Sequence, residues 1–123
     1  MVKLVYVIRK RDDLAPEEFY RYWNKEHAPK VKGIAAVLRA RKYVQSHTMG
    51  TPLNAVLVAS RGMAPSYDGI TEVWWDSLED LQAAMAEPEG VKALQMLLED
   101  EKKFIDLARS TLFMTEEHEI FSP

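Results

Sequence analysis

The chain has 123 residues, a formal net charge of −3 and an isoelectric point of about 5.6; 47% of its residues are hydrophobic and 28% charged. That length supports a single domain, residues 1–123, with a core of its own, and that charge gives no reason to expect nucleic acid or an anionic membrane as partner. The absence of cysteine excludes disulfides, thiol nucleophiles and thiolate metal sites.

Residues 2–9 are β-branched and aromatic, apolar on both faces, which is the pattern of a central strand. The run ends in Arg9-Lys10-Arg11, so its charge follows the apolar stretch, whereas a signal peptide carries charge in front. With no apolar run of bilayer-spanning length, a cytoplasmic location is expected. Asp12-Asp13-Leu14-Ala15 reads as a turn, and Pro16, Glu17 and Glu18 open a helix. Proline suits the first helical position and acids suit the first turn, where the helix dipole favours them. Phe19, Trp23 and His27 then recur every fourth residue and share one face. Pro29 disfavours helical geometry at Ala28, so the helix is expected to stop or kink near His27.

Residues 37–48 read as a second strand. The connection 49–67 holds an apolar stretch, 53–59, too greasy for an idle loop; it predicts a short helix packed as a lid, with 53–63 capping a pocket. Residues 68–76 form a third strand, with Asp68-Gly69 at its turn. Ser77-Leu78-Glu79-Asp80 is a helix start of the Ser-x-x-acid type. Pro88 breaks that helix, and Val91, Leu94, Leu98, Phe104 and Ile105 carry helical spacing onward. Residues 109–121 are the last strand.

This order predicts an α+β, ferredoxin-like βαββαβ sheet with helices on one face. Trp74 and Trp75 are adjacent in a strand and must point to opposite faces. One meets the helices; the other would be exposed in a monomer, although burying a tryptophan is worth about 2–3 kcal/mol or more. Sheet-to-sheet homodimerisation into a closed barrel is the economical solution.

Two aromatics followed by an imidazole suit a pocket for a small apolar or aromatic ligand. In this reading Phe19 and Trp23 form the wall and His27 is the proton-transfer residue. Its place at a helix end favours the charged ring and its burial the neutral one, which together suit a general acid or base. Tyr43, Gln45 and His47 alternate on one face of the second strand, so His47 and Tyr43 are candidates to assist His27, and Gln45 to orient a substrate carbonyl or hydroxyl. Glu72, mid-strand between Ile70 and Trp74, must be paired or protonated; it is either a pocket acid or the partner of Arg9 or Arg109. His118 is either a dimer contact or a solvated strand end. No H-x-x-x-H or H-x-H spacing supports a metal site, so no metal and no cofactor is expected, with haem ligation by a histidine as the outside alternative.

Several segments together resemble the EthD family of the dimeric α+β barrel superfamily. They run from Glu17-Glu18-Phe19-Tyr20-Arg21-Tyr22-Trp23 through His27-Ala28-Pro29 to Arg41-Lys42-Tyr43-Val44-Gln45-Ser46-His47, and from Tyr67-Asp68-Gly69-Ile70-Thr71-Glu72-Val73-Trp74-Trp75-Asp76-Ser77 to Asp100-Glu101-Lys102-Lys103-Phe104-Ile105-Asp106. The resemblance implies a homodimeric barrel; in similar barrels of the muconolactone isomerase type a histidine in the place of His27 lines the pocket. A reductase label sometimes used in the family has no support here, since the chain lacks G-x-G-x-x-G. The function expected is an enzyme acting on an apolar or aromatic carbonyl, lactone or hydroxyl compound by cofactor-free acid–base chemistry, of isomerase, dehydratase or lyase type. The alternatives are a non-catalytic ligand-binding accessory protein of a degradation pathway, and a haem-handling or monooxygenase barrel.

Overall fold

The computed structural model describes residues 1–123. Four strands form one antiparallel sheet: β1 (Val2–Ile8), β2 (Lys42–His47), β3 (Gly69–Trp75) and β4 (Thr111–Glu116), in the spatial order β2-β3-β1-β4. β1 is central, as its two apolar faces require, and pairs Leu4 with Val73 and Met114, and Tyr6 with Thr71 and Leu112. The helices are α1 (Pro16–Arg21), α2 (Ala28–Ile34), α3 (Pro52–Ser60), α4 (Leu78–Ala86) and α5 (Pro88–Glu101). The topology is the expected ferredoxin-like one, with α3 added between β2 and β3 and the last helical region divided at Pro88.

The first helical region departs from its sequence reading in an instructive way. It does not end near His27. Residues Tyr22–His27 widen into a π-helical stretch, in which the Ala28 N–H donates to the carbonyl of Trp23, five residues back, and the helix then resumes as α2. Proline clashes with the carbonyl four residues before it in an α-helix and has no N–H to give. The wider turn just ahead of Pro29 absorbs that conflict. The helical region closes further on, at Arg39, whose φ of 61° lies in the left-handed region while the Ala40 N–H bonds back to Ala35. An arginine gives no sequence sign of such a stop. The second strand therefore begins at Lys42 and not at 37, and Leu38 is core. The last strand likewise ends at Glu116, short of 121.

The core lies between sheet and helices. Tyr6, Ile8, Phe19, Trp23, Phe104 and Ile105 form one cluster; Val31, Leu38, Ala93 and Leu97 form another. Trp75 is buried on this side, and its indole N–H donates to the Leu38 carbonyl at 2.7 Å. Two close approaches depend on glycine. A Cβ on Gly69 would sit 2.5 Å from the Trp23 ring, and one on Gly90 would sit 1.8 Å from the Ala84 carbonyl oxygen. The second obstacle is backbone and cannot swing aside, so Gly90→Ala is expected to loosen α4 from α5 and cost about 1–3 kcal/mol, read as a lower urea midpoint with an unchanged slope.

The opposite face of the sheet carries Val5, Val7, Val44, Ile70, Trp74 and Phe113 by strand alternation. No helix covers it, and Phe113 is 48% exposed. Trp74 points here, opposite to Trp75, with the ammonium groups of Lys3 and Lys42 over its ring at 5.4 and 4.8 Å.

Candidate functional site

A cavity of about 350 Å³ lies between the helices and the sheet. Of its 23 lining residues 20 are hydrophobic, and the others are His27, Thr71 and Glu101. The volume suits a one- or two-ring organic molecule, and the walls bind by excluding water.

His27 comes from the π stretch and is 5% exposed. Its Nδ1 lies 2.7 Å from Asp100 Oδ2. Burial pushes the imidazole below its usual range, against the upward pull of Asp100, so the ring is neutral at pH 7. An ionised carboxylate only accepts, so the ring proton sits on Nδ1 and Nε2 is a bare acceptor. His27 lines the cavity, and its Nε2 makes no hydrogen bond within the chain. The helix-end argument for this histidine does not apply, because the helix runs on past it.

Asp100, on α5, is 3% exposed and serves four donors. Besides His27 it takes the Tyr22 hydroxyl at 2.5 Å, the Lys30 ammonium at 2.6 Å and, more loosely, Lys103 at 3.5 Å. Burial works against its charge, but the hydrogen bonds from Lys30, Tyr22 and His27 outweigh it and hold the carboxyl well below the usual carboxylate range. Glu101, its neighbour, faces the cavity and accepts from the Tyr6 hydroxyl at 2.9 Å. Burial is the main cause that brings its carboxyl up to about 7, the Tyr6 bond opposes the rise and the Asp100 charge adds to it.

The residues singled out by sequence lie in different places. His27, Trp23 and Tyr43 line the cavity, and burial pushes the Tyr43 hydroxyl up. Phe19 is wholly buried behind them and packs on Trp23 and Phe104, so it is core and not pocket wall. Gln45 and His47 lie outside the cavity: Gln45 donates to the Trp23 carbonyl and to Tyr43 Oη, and its Oε1 takes His47 Nε2 at 2.8 Å. His47 is stacked on Trp23 and Tyr20 at 4.5 and 5.2 Å. Gln45 thus stitches β2 to the π stretch. Glu72 is on the opposite face, paired with Lys3 at 2.8 Å and with neither arginine. The period of two in a strand decides this: Thr71 and Val73 face the helices, so Glu72 cannot. Residues 53–63 line no part of the cavity and α3 buries none of its side chains, so the helix forms but is not a lid. His118 is in the exposed tail.

Asp100, Glu101, Tyr6 and Tyr22 escape a motif reading. One signal was present: three consecutive acids, Glu99-Asp100-Glu101, in the last turn of α5 sit where the helix dipole disfavours them. No three His, Asp or Glu side chains converge to hold a metal ion. No helix is long and apolar enough to cross a membrane.

Fold and site together define a ferredoxin-like α+β protein with an apolar helix–sheet cavity bordered by an Asp-held histidine. Residues 11–108 match the EthD domain, and the chain belongs to the EthD family. Among solved structures it is similar to an EthD family protein of Bacillus halodurans, at 24% identity with a TM-score of 0.64, over 96% of this chain and 99% of that one. It also resembles a dimeric ferredoxin-like protein of unknown function from Bacteroides fragilis, at 18% identity and a TM-score of 0.58, over 94% and 95% of the two chains. A third is SnoaB, a cofactor-independent oxygenase from Streptomyces nogalater, at 11% identity and a TM-score of 0.57, over 99% and 97%. No curated protein matches the chain significantly.

Proposed function

We propose that this chain is an acid–base enzyme for a small apolar or aromatic compound with an enolisable carbonyl, working without a cofactor, with His27 Nε2 as the base. The observation that carries this reading is an oil-lined cavity opening onto a neutral imidazole whose other nitrogen is held by a buried carboxylate. A base poised in this way removes a proton next to a carbonyl without being solvated out of reach. The test is α-proton exchange of 2-tetralone in deuterium oxide, followed by NMR, for the wild-type chain and for His27→Ala. Exchange that survives in the variant counts against the base assignment. The runner-up is ligand binding without chemistry, in which 2-naphthol binds and no ketone exchanges. SnoaB is an oxygenase on the same fold, and a base that generates a carbanion would also serve oxygenation; 2-tetralone consuming dioxygen in proportion to protein would favour that course.

The working unit in this proposal is a homodimer, closed by the uncovered sheet face. Its support is the apolar set around Trp74 and Phe113, and the exposed Leu53, Val56 and Leu57 of α3. A charge at the centre of such an interface strands an unpaired ion in a dry environment. Phe113→Asp is therefore expected to sediment at the monomer mass of 14.1 kDa, while the wild type runs as the pair; a monomeric wild type would end the dimer proposal.

A further inference from the structure

We infer that Glu101 is the proton donor that works opposite His27 in the same cavity, with the Tyr6 hydroxyl as its positioning residue, so that the site performs a keto–enol proton shift on an apolar ketone. This rests on the reading of His27 as the base. Three features place Glu101 there. It is on the cavity wall with His27. Its Oε1 is held by Tyr6 from the floor of the sheet, which leaves Oε2 without a hydrogen-bond partner in the chain and free to carry the proton. It also follows Asp100 directly, so a single helix end fixes both the residue that holds the base and the acid itself.

The groups facing Glu101 are Tyr6 from β1, Tyr43 from β2, His27 from the π stretch and Asp100 on its own helix. None of these is a cation at pH 7, and the nearby Lys30 and Lys103 sit on the Asp100 carboxylate. The Tyr6 bond favours the ionised form, but burial outweighs it and brings the carboxyl up to about 7, so a large share is protonated near neutrality. A carboxylic acid and a bare imidazole nitrogen can then coexist over one substrate.

The step balances without any co-reactant. His27 Nε2 takes a proton from the carbon beside the carbonyl. The C–H electron pair becomes the carbon–carbon double bond, and the carbonyl π pair takes the proton of Glu101. The enol is now flanked by imidazolium and carboxylate. Return of the His27 proton to carbon and of the enol proton to Glu101 restores both groups, and placement of the returning proton on a different carbon of a conjugated ketone gives an isomer.

The test is 2-tetralone exchange against pH, with Glu101→Gln and Tyr6→Phe. The wild type should fall in rate above about 7, where Glu101 ionises. Glu101→Gln keeps an oxygen for Tyr6 to bond but has no proton to give; it should lose about 10²-fold or more in rate, together with that alkaline fall. Tyr6→Phe removes the one contact that lowers the Glu101 carboxyl, so its alkaline fall should move to higher pH. A merely structural role would not move the limb in these two ways. Infrared titration supplies a readout that needs no substrate: the wild type should show a protonated-carboxyl band persisting to neutral pH, absent in Glu101→Gln and persisting further in Tyr6→Phe. Exchange abolished by His27→Ala but unaltered by Glu101→Gln, alkaline limb included, would overturn this inference alone. No exchange by the wild type, or exchange indifferent to His27, would overturn it together with the reading beneath it. Absence of the carboxyl band would overturn it whatever the rates.

Discussion

His27→Ala is expected to lower the turnover of an enolisable probe by about 10²–10⁴-fold while leaving its affinity nearly unchanged. The split follows from how the cavity is built. Twenty of its lining residues are hydrophobic, so most of the binding free energy comes from apolar surface leaving water and little from the imidazole. The proton transfer, by contrast, has a single candidate base. The same group sets the acidic side of the pH profile. Nε2 accepts a proton only while the ring is neutral, and burial holds its pKa below the usual value of about 6.5. Activity should therefore rise with pH through a midpoint under that value. With the alkaline fall near Glu101, the profile becomes a bell. Measuring kcat and KM separately across pH for the variant and the wild type checks both statements: a rise in KM with kcat intact would assign His27 to uniform binding and not to chemistry.

The architecture was readable from the sequence because it depends on periodicity. The alternation in β1 and β3, the pair Trp74-Trp75 and the Ser77 start of α4 all follow from geometry that repeats every two or every few residues. The spacing of Phe19, Trp23 and His27 brought all three to one buried face even though the helix widens between them, since a π turn displaces the register by only part of a turn. Where local rules compete, the sequence misled. Pro29 argues for a break and the chain answers with a wider turn; Arg39 ends a helix from a conformation that its side chain does not advertise. Glu72 was placed by its neighbours in the strand and not by the parity of the strand, and parity decides. Asp100 and Glu101 illustrate the deeper limit. Their partners Tyr22, His27 and Tyr6 are 73 or more residues away in the chain, and only tertiary packing brings α5 to the π stretch and to β1. What a sequence can register is the anomaly of acids at a helix C-terminus, which signals a conflict without naming what resolves it.

Asp100 is where that conflict can be tested most sharply, because two substitutions there should fail differently. Asp100→Ala leaves the buried His27 Nδ1–H without an acceptor, at about 1–3 kcal/mol; Tyr22 and Lys30, partly exposed, can turn to water. The fold should weaken by that amount in urea titration. The wild-type group also makes the protein acid-labile. Its folded pKa is depressed, so its stabilisation is complete above the unfolded value of about 3.9 and drains away as pH falls below it. His27 acts in the same direction at higher pH, because the unfolded ring takes up a proton near 6.5 before the buried ring does. Glu101 opposes His27 between about 7 and the unfolded carboxylate value of about 4.3, because its folded carboxyl takes up a proton first. The fall below about 3.9 belongs to Asp100, and Asp100→Ala should lack it. Asp100→Asn is the subtler change. Its amide oxygen can still serve Lys30 and Tyr22, which turns its NH₂ toward His27 Nδ1. A donor there forces Nδ1 to accept, so the ring proton moves to Nε2 and the base faces the cavity already occupied. The expected outcome is a stable protein whose His27 nitrogen NMR shifts report the swapped tautomer and whose exchange activity falls nearly as far as that of His27→Ala. A stable Asp100→Asn protein with the tautomer swapped and full activity would mean that Nε2 never receives a proton, and the acid–base account of this cavity would have to be abandoned.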